Sequence, residues 1–157
     1  MAASKSKERA TKPKTFTVEE ANRTLPLVRA IAEDVARQTR LVIELRRRLS
    51  GVRREEKRGG ESDPYFEETT QSHSELNFEE SKLRAYLEEL EALGIVPNGP
   101  LEGLCDFPST RDGREVFLCW KLGEDEVTHW HEKNAGFAGR QSLDAPPAPV
   151  RTSRRPR

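Results

Sequence analysis

Between residues 28 and 49 the apolar positions recur every seven: Val28, Val35, Val42 and Leu49, with Ile31, Gln38 and Leu45 three positions after the first three. This spacing paints one stripe along an amphipathic helix, interrupted by a single glutamine. Leu76, Leu83 and Leu90, joined by Tyr86 and Leu93, write a second stripe. Gly59-Gly60 ends the first run, and Asp63-Pro64 fits an N-cap followed by proline at the first helical position. Two such helices joined by a short turn predict an antiparallel helical hairpin over residues 17–94.

The ends of that hairpin carry signals of their own. Thr17 is placed to cap, Glu20 to close a capping box, and Phe16 to act as a staple. Pro26 predicts that the opening helix is short and that a second helix, capped by Thr24, starts there. Thr69 to Ser74 is poor helix sequence, so Asn77 with Glu80 offers a competing, later start for the second stripe. Gly94 followed by Ile95 and Pro97 predicts the stop.

From residue 103 the period changes to two, which indicates strands. Asp112-Gly113 is a two-residue hairpin turn, since both positions accept positive φ. It pairs Arg111 with Arg114, Ser109 with Val116, Phe107 with Leu118 and Cys105 with Trp120 on one face. Leu104 then opposes Lys121, Asp106 opposes Cys119 and Pro108 opposes Phe117 on the other. The turn near Gly123 to Glu126 leaves two registers. A two-residue loop buries His129 and His131. A three-residue loop buries Trp130 instead and sets Lys121 against His129 and Cys119 against His131. The second is favoured, because two buried imidazoles would each need partners. The whole predicts an α+β fold, a long antiparallel helical hairpin packed on a small antiparallel sheet of about three strands, with a β-meander and loop over 103–143.

Composition places this fold in a single domain over 15–143. The chain has 157 residues, 34% charged and 34% hydrophobic, enough for one modest core. Its 27 basic and 27 acidic residues balance overall but not locally. Residues 1–14 carry Lys5, Lys7, Arg9, Lys12 and Lys14 against Glu8, and residues 144–157 carry Arg151, Arg154, Arg155 and Arg157 against Asp144. Both tails, the second rich in proline, read as disordered solubilising segments with weak affinity for polyanions, and the acidic remainder argues against a nucleic-acid-binding domain. No signal-peptide h-region or membrane-length apolar run is present, so a cytoplasmic protein is expected. Two cysteines are too few for a disulfide framework.

The reactive residue types crowd into the strands. Asp106, Cys119, His129 and His131 share one sheet face in the favoured register, a nitrogen, sulfur and oxygen set suited to zinc or another divalent transition metal. The same residues allow a thiol enzyme, with Cys119 as nucleophile, His131 or His129 as base and Asp106 orienting the ring. Cys105 falls on the core face. Arg140, with Arg114 or Arg111, is a candidate anion site beside the Gly136–Gly139 loop, and His73 reads as a solvated surface residue. The expected class is a non-catalytic interaction domain. Two helices bury little on their own, so the stripes must be completed either by the C-terminal sheet or by a second copy of the chain, which leaves a homodimer or a protein partner along the heptad helices as one of the readings.

Phe16-Thr17-x-x-Glu20-Ala21-Asn22-x-x-Leu25-Pro26-x-Val28, Asp106-Phe107-Pro108, Leu118-Cys119-Trp120-x-Leu122-Gly123-Glu124, Trp130-His131-Glu132 and Gly136-Phe137-x-Gly139-Arg140 together resemble an uncharacterised bacterial domain of unknown function. The similarity spans roughly residues 16–143. It implies a small prokaryotic protein and transfers no reaction, substrate or site residue.

Overall fold

The computed structural model describes residues 14–56 and 66–144. Helix α1 spans Val18–Glu56 and helix α2 spans Phe66–Ala92. Five strands follow: β1 Val96–Gly99, β2 Leu104–Arg111, β3 Arg114–Lys121, β4 His129–Glu132 and β5 Gln141–Ser142. They form one antiparallel sheet in sequence order, beneath the two packed helices.

Helix α1 opens with the capping box: the Glu20 N–H donates to Thr17 Oγ1 and the Thr17 N–H to Glu20 Oε2, at 3.1 and 3.0 Å. Phe16 is buried before the cap, edge-on to Phe107, and its N–H donates to the Pro108 carbonyl at 2.7 Å. The predicted break at Pro26 does not occur. Proline lies inside one continuous 39-residue helix, and Thr24 donates its hydroxyl back to the Ala21 carbonyl instead of capping. The backbone bond lost at Pro26 is outweighed by burial on both sides of it, at Ala21, Leu25, Val28 and Ile31. Helix α2 is already formed at Phe66, so the later start at Asn77 is not used; Gly59-Gly60 and Asp63-Pro64 lie outside the described residues. Its end is a Schellman motif: Gly94 sits at φ 84°, its N–H donating to the Glu91 carbonyl and that of Ile95 to Leu90.

Every heptad position from Val28 to Leu49 is buried, Gln38 included. Gln38 is satisfied by donating to the carbonyl and carboxylate of Glu79, which ties α1 to α2 at one level. The core lies between the lower part of this hairpin and the sheet, where Phe107, Val116, Leu118, Trp120 and Trp130 meet Val28, Val35, Leu90 and Ile95.

The Asp112-Gly113 turn has both residues at positive φ, 53° and 76°, and the β2–β3 register is the predicted one at every pair. Two expectations are corrected. The sheet has five strands rather than about three, because the stop after α2 continues as β1 and the segment after the glycine loop returns as β5. In the β3–β4 pairing, Cys119 opposes His129 and Phe117 opposes His131, two residues away from the favoured register. The connection is longer than a three-residue loop because α1 and Trp120 capture it. The Val127 N–H donates to Asn22 Oδ1, Arg29 donates to the Asp125 carbonyl, and the Trp120 indole N–H donates to the Glu124 carbonyl. A shift of two preserves the faces, so Trp130 is buried as expected. No helix among the described residues is long and apolar enough to cross a membrane.

Candidate metal centre

Alternation along β2, β3 and β4 sends the large apolar side chains toward the helices and Asp106, Cys119 and His131 to the opposite face. Each of the three is no more than 2% exposed. One ligand atom from each, a carboxylate oxygen, the thiol sulfur and an imidazole nitrogen, lies within 4.8 Å of the other two. A tetrahedral zinc site has ligand–ligand edges of about 3.3–3.7 Å, so small side-chain rotations bring this set to coordination distance.

The hydrogen bonds around the trio define its protons. His131 Nδ1 lies 2.7 Å from the Glu132 carbonyl, which can only accept, so Nδ1 carries a hydrogen. That leaves Nε2 aimed at Asp106 Oδ1, 3.0 Å away. The other carboxylate oxygen of Asp106 accepts from Asn98 Nδ2 at 2.8 Å, and Cys119 adds a thiol hydrogen bond to the same carboxylate. Burial, then the Asp106 charge, push the Cys119 thiol up to about 12 despite the opposing influence of Arg140. The Cys105 thiol rises to about 12 for the same leading reason. Asn98, the Cys119 thiol and the His131 ring satisfy the Asp106 carboxylate as it stands, and a divalent ion held here would displace the thiol hydrogen.

His129 does not join the cluster, although it opposes Cys119 directly. Its Nδ1 faces both Arg140 Nη2, at 2.7 Å, and Thr128 Oγ1, at 2.8 Å. The guanidinium can only donate, so Nδ1 accepts and the hydrogen of the neutral ring sits on Nε2. The two histidines therefore use Nδ1 in opposite ways: His131 donates from it and turns Nε2 to Asp106, whereas His129 accepts at it. Of the four residues expected to share the site, the structure groups Asp106, Cys119 and His131 and places His129 beside Arg140.

The other candidates resolve differently. Cys105, beside Trp120, faces the core away from Cys119, and both cysteines are free. For the thiol reading, both His131 nitrogens face other partners, Glu132 and Asp106, His129 Nδ1 faces Arg140 and Thr128, and the Cys119 thiol is buried. Arg114 pairs with Glu132 at 2.7 Å, while Arg140 pairs with Glu124 and packs over Phe137, so the two arginines are engaged separately. Asn98 escaped notice in the sequence because it sits where the chain was expected only to stop a helix. The irregular pairing between Pro97 and Gly99 marks the place from which it reaches Asp106.

No curated protein and no solved structure matches this chain. The family described as "Uncharacterized conserved protein (DUF2203)" matches residues 14–143, a span that covers both helices and the strands bearing Asp106, Cys119 and His131. The chain belongs to this uncharacterised family.

Proposed function

We propose that this protein is a metal-binding interaction domain in which Asp106, Cys119 and His131 hold one divalent transition-metal ion, zinc foremost, in a structural role. The observation that carries this reading is the His131 ring, whose Nδ1–H is anchored on a backbone carbonyl while Nε2 faces a carboxylate and a thiol. Anchoring of the distal nitrogen is how protein sites orient imidazole ligands. Mixed nitrogen, sulfur and oxygen donors suit zinc and its neighbours over calcium or magnesium. Burial supports a structural role, with three protein donors and the fourth tetrahedral position left to a water molecule. The three donors are closed off from solvent, and a cavity of about 400 Å³ lies elsewhere, between the start of α1 and the turn end of β2 and β3.

The test is metal titration of tag-free protein stripped by chelator, read by native mass spectrometry and competition with a chromophoric chelator. One zinc per chain is expected, with cobalt giving the absorption of a thiolate-ligated tetrahedral ion. His131→Ala and Cys119→Ala should each weaken binding by about 100-fold or more, and Asn98→Ala by about 10-fold, the loss expected when a hydrogen bond that orients a ligand is removed. His129→Ala should bind as the parent does. No zinc uptake at micromolar concentration, or uptake unchanged in His131→Ala, would overturn the proposal in favour of a buried polar cluster satisfied by protons.

A further inference from the structure

The cavity of about 400 Å³ between the start of α1 and the turn end of β2 and β3 opens on the helix-facing side of the sheet. Its size falls within the range of about 300–1,000 Å³ typical of small-molecule pockets. The buried side chains of Phe16, Val116 and Leu118 line it from the core, and the half-buried Val18 and Leu143 add an apolar wall.

Arg111, the last residue of β2, brings a positive charge to this cavity. Its guanidinium carbon lies 5.0 Å from the centroid of the Trp130 ring, which holds the group in one place. Arg29, Arg111 and Arg140 are all half-buried. Arg29 also packs over a tryptophan but donates to the Asp125 carbonyl, and Arg140 pairs with Glu124. Among the described residues Arg111 has no hydrogen-bond acceptor and no carboxylate partner; its contact is the Trp130 ring. Arg114, its neighbour across the turn, is engaged by Glu132. A guanidinium has five donors, and a carboxylate bound there would offset the cost of holding them half out of water.

Glu20 lines the same cavity with the opposite charge. Its Oε2 accepts from the Thr17 N–H in the capping box, which leaves Oε1 open. No ion pair joins Glu20 to Arg111, nor to Lys14 and Arg23, which stand with it around a neighbouring hollow. The cavity thus holds one unmatched charge of each sign beside an apolar wall.

We propose that this cavity binds an α-amino acid with an apolar side chain, its carboxylate on the Arg111 guanidinium, its ammonium on Glu20 and its side chain against Val18 and Leu143. A carboxylate accepts two parallel N–H bonds from a guanidinium fork, and Trp130 fixes that fork before the ligand arrives. A simple carboxylic acid would suit Arg111 but face Glu20, and a simple amine would do the reverse. The zwitterion satisfies both. Arg111 and Asp106 lie on opposite faces of β2, so this site is independent of the metal reading.

Titration of the full chain with L-leucine and L-phenylalanine tests it, each beside its deaminated acid (4-methylpentanoate, 3-phenylpropanoate) and its decarboxylated amine (3-methylbutylamine, phenethylamine). Calorimetry reads affinity and amide NMR reads location. At least one amino acid should bind with a dissociation constant of about 1 mM or tighter, and about 10-fold or more tighter than its acid or amine. The shifts should centre on Thr15, Ser109, Thr110 and Leu143 and leave Asp106 and Cys119 in place. Arg111→Gln should weaken binding by about 10-fold or more, and Arg111→Lys, which keeps the charge but loses the fork, by less. Glu20→Gln keeps the capping box and should abolish the preference for the amino acid over its deaminated acid. No saturable binding of either amino acid at about 10 mM, equal binding of the acid or the amine, or binding indifferent to Arg111→Gln would each overturn the proposal.

Discussion

A single hydrogen-bond partner separates the two histidines of β4. His131 leans on a carbonyl and His129 on a guanidinium, and this decides whether Nδ1 donates or accepts. That they share a face was legible, because residues two apart on a strand point the same way, whereas which face they share depends on the loop. Their partners were not, since Arg140 arrives from a loop and Glu132 acts through its backbone. The two buried thiols carry a separate consequence. Their folded values are raised to about 12 from an ordinary 9.0, so at alkaline pH the folded chain keeps protons that the unfolded chain has lost. The neutral thiols' stabilising effect is thus complete below the unfolded value and is lost as pH climbs from about 9 toward 12. Metal-free protein should show a melting temperature that falls steeply above pH 9, and Cys105→Ala should flatten that slope. An identical slope in the variant would assign the alkaline loss to other groups. Alkylating reagents should modify neither cysteine at neutral pH until the chain unfolds.

At the scale of elements, the strongest local signals were the ones that held. The Asp-Gly turn fixed eight cross-strand pairs because its two positive-φ positions leave one hairpin geometry. The Thr17–Glu20 box and the Gly94 stop likewise mark the ends of helices by satisfying backbone groups within a few residues. Gly94→Ala should cost about 1 kcal/mol or more, from the left-handed φ and from a new Cβ 3.3 Å from that of Lys14. Chemical denaturation checks this, and Gly51→Ala, within α1 and with open space at its Cβ, should instead stabilise slightly. What failed was decided at longer range. Pro26 was read as a break on local grounds, yet packing against the core carries the helix through it. The loop after β3 was read as a tight turn, yet Asn22 and Arg29, about 100 residues earlier in the chain, hold it open. Strands β1 and β5, of four and two residues, carry too few alternating positions to announce themselves.

For the molecule as a whole, the sheet works as a partition, with the helix-facing side devoted to packing and the other to polar chemistry. Binding an ion on the polar side should be felt on the packed side. Zinc at about a hundredfold excess over its dissociation constant should raise the melting temperature by roughly 5–10 °C, and a chelator should reverse it. His131→Ala should remove the shift. Asp106, Cys119 and His131 belong to three successive strands, and the outer two donors are 25 positions apart in sequence. An ion bridging them would close that stretch of chain into a ring and remove from the unzipping of β4 its freedom to occur alone. Amide exchange of Leu118 and Trp130, partners across the β3–β4 ladder, would then slow together on metal loading, making the kinetics of one short strand a gauge of the ion's presence.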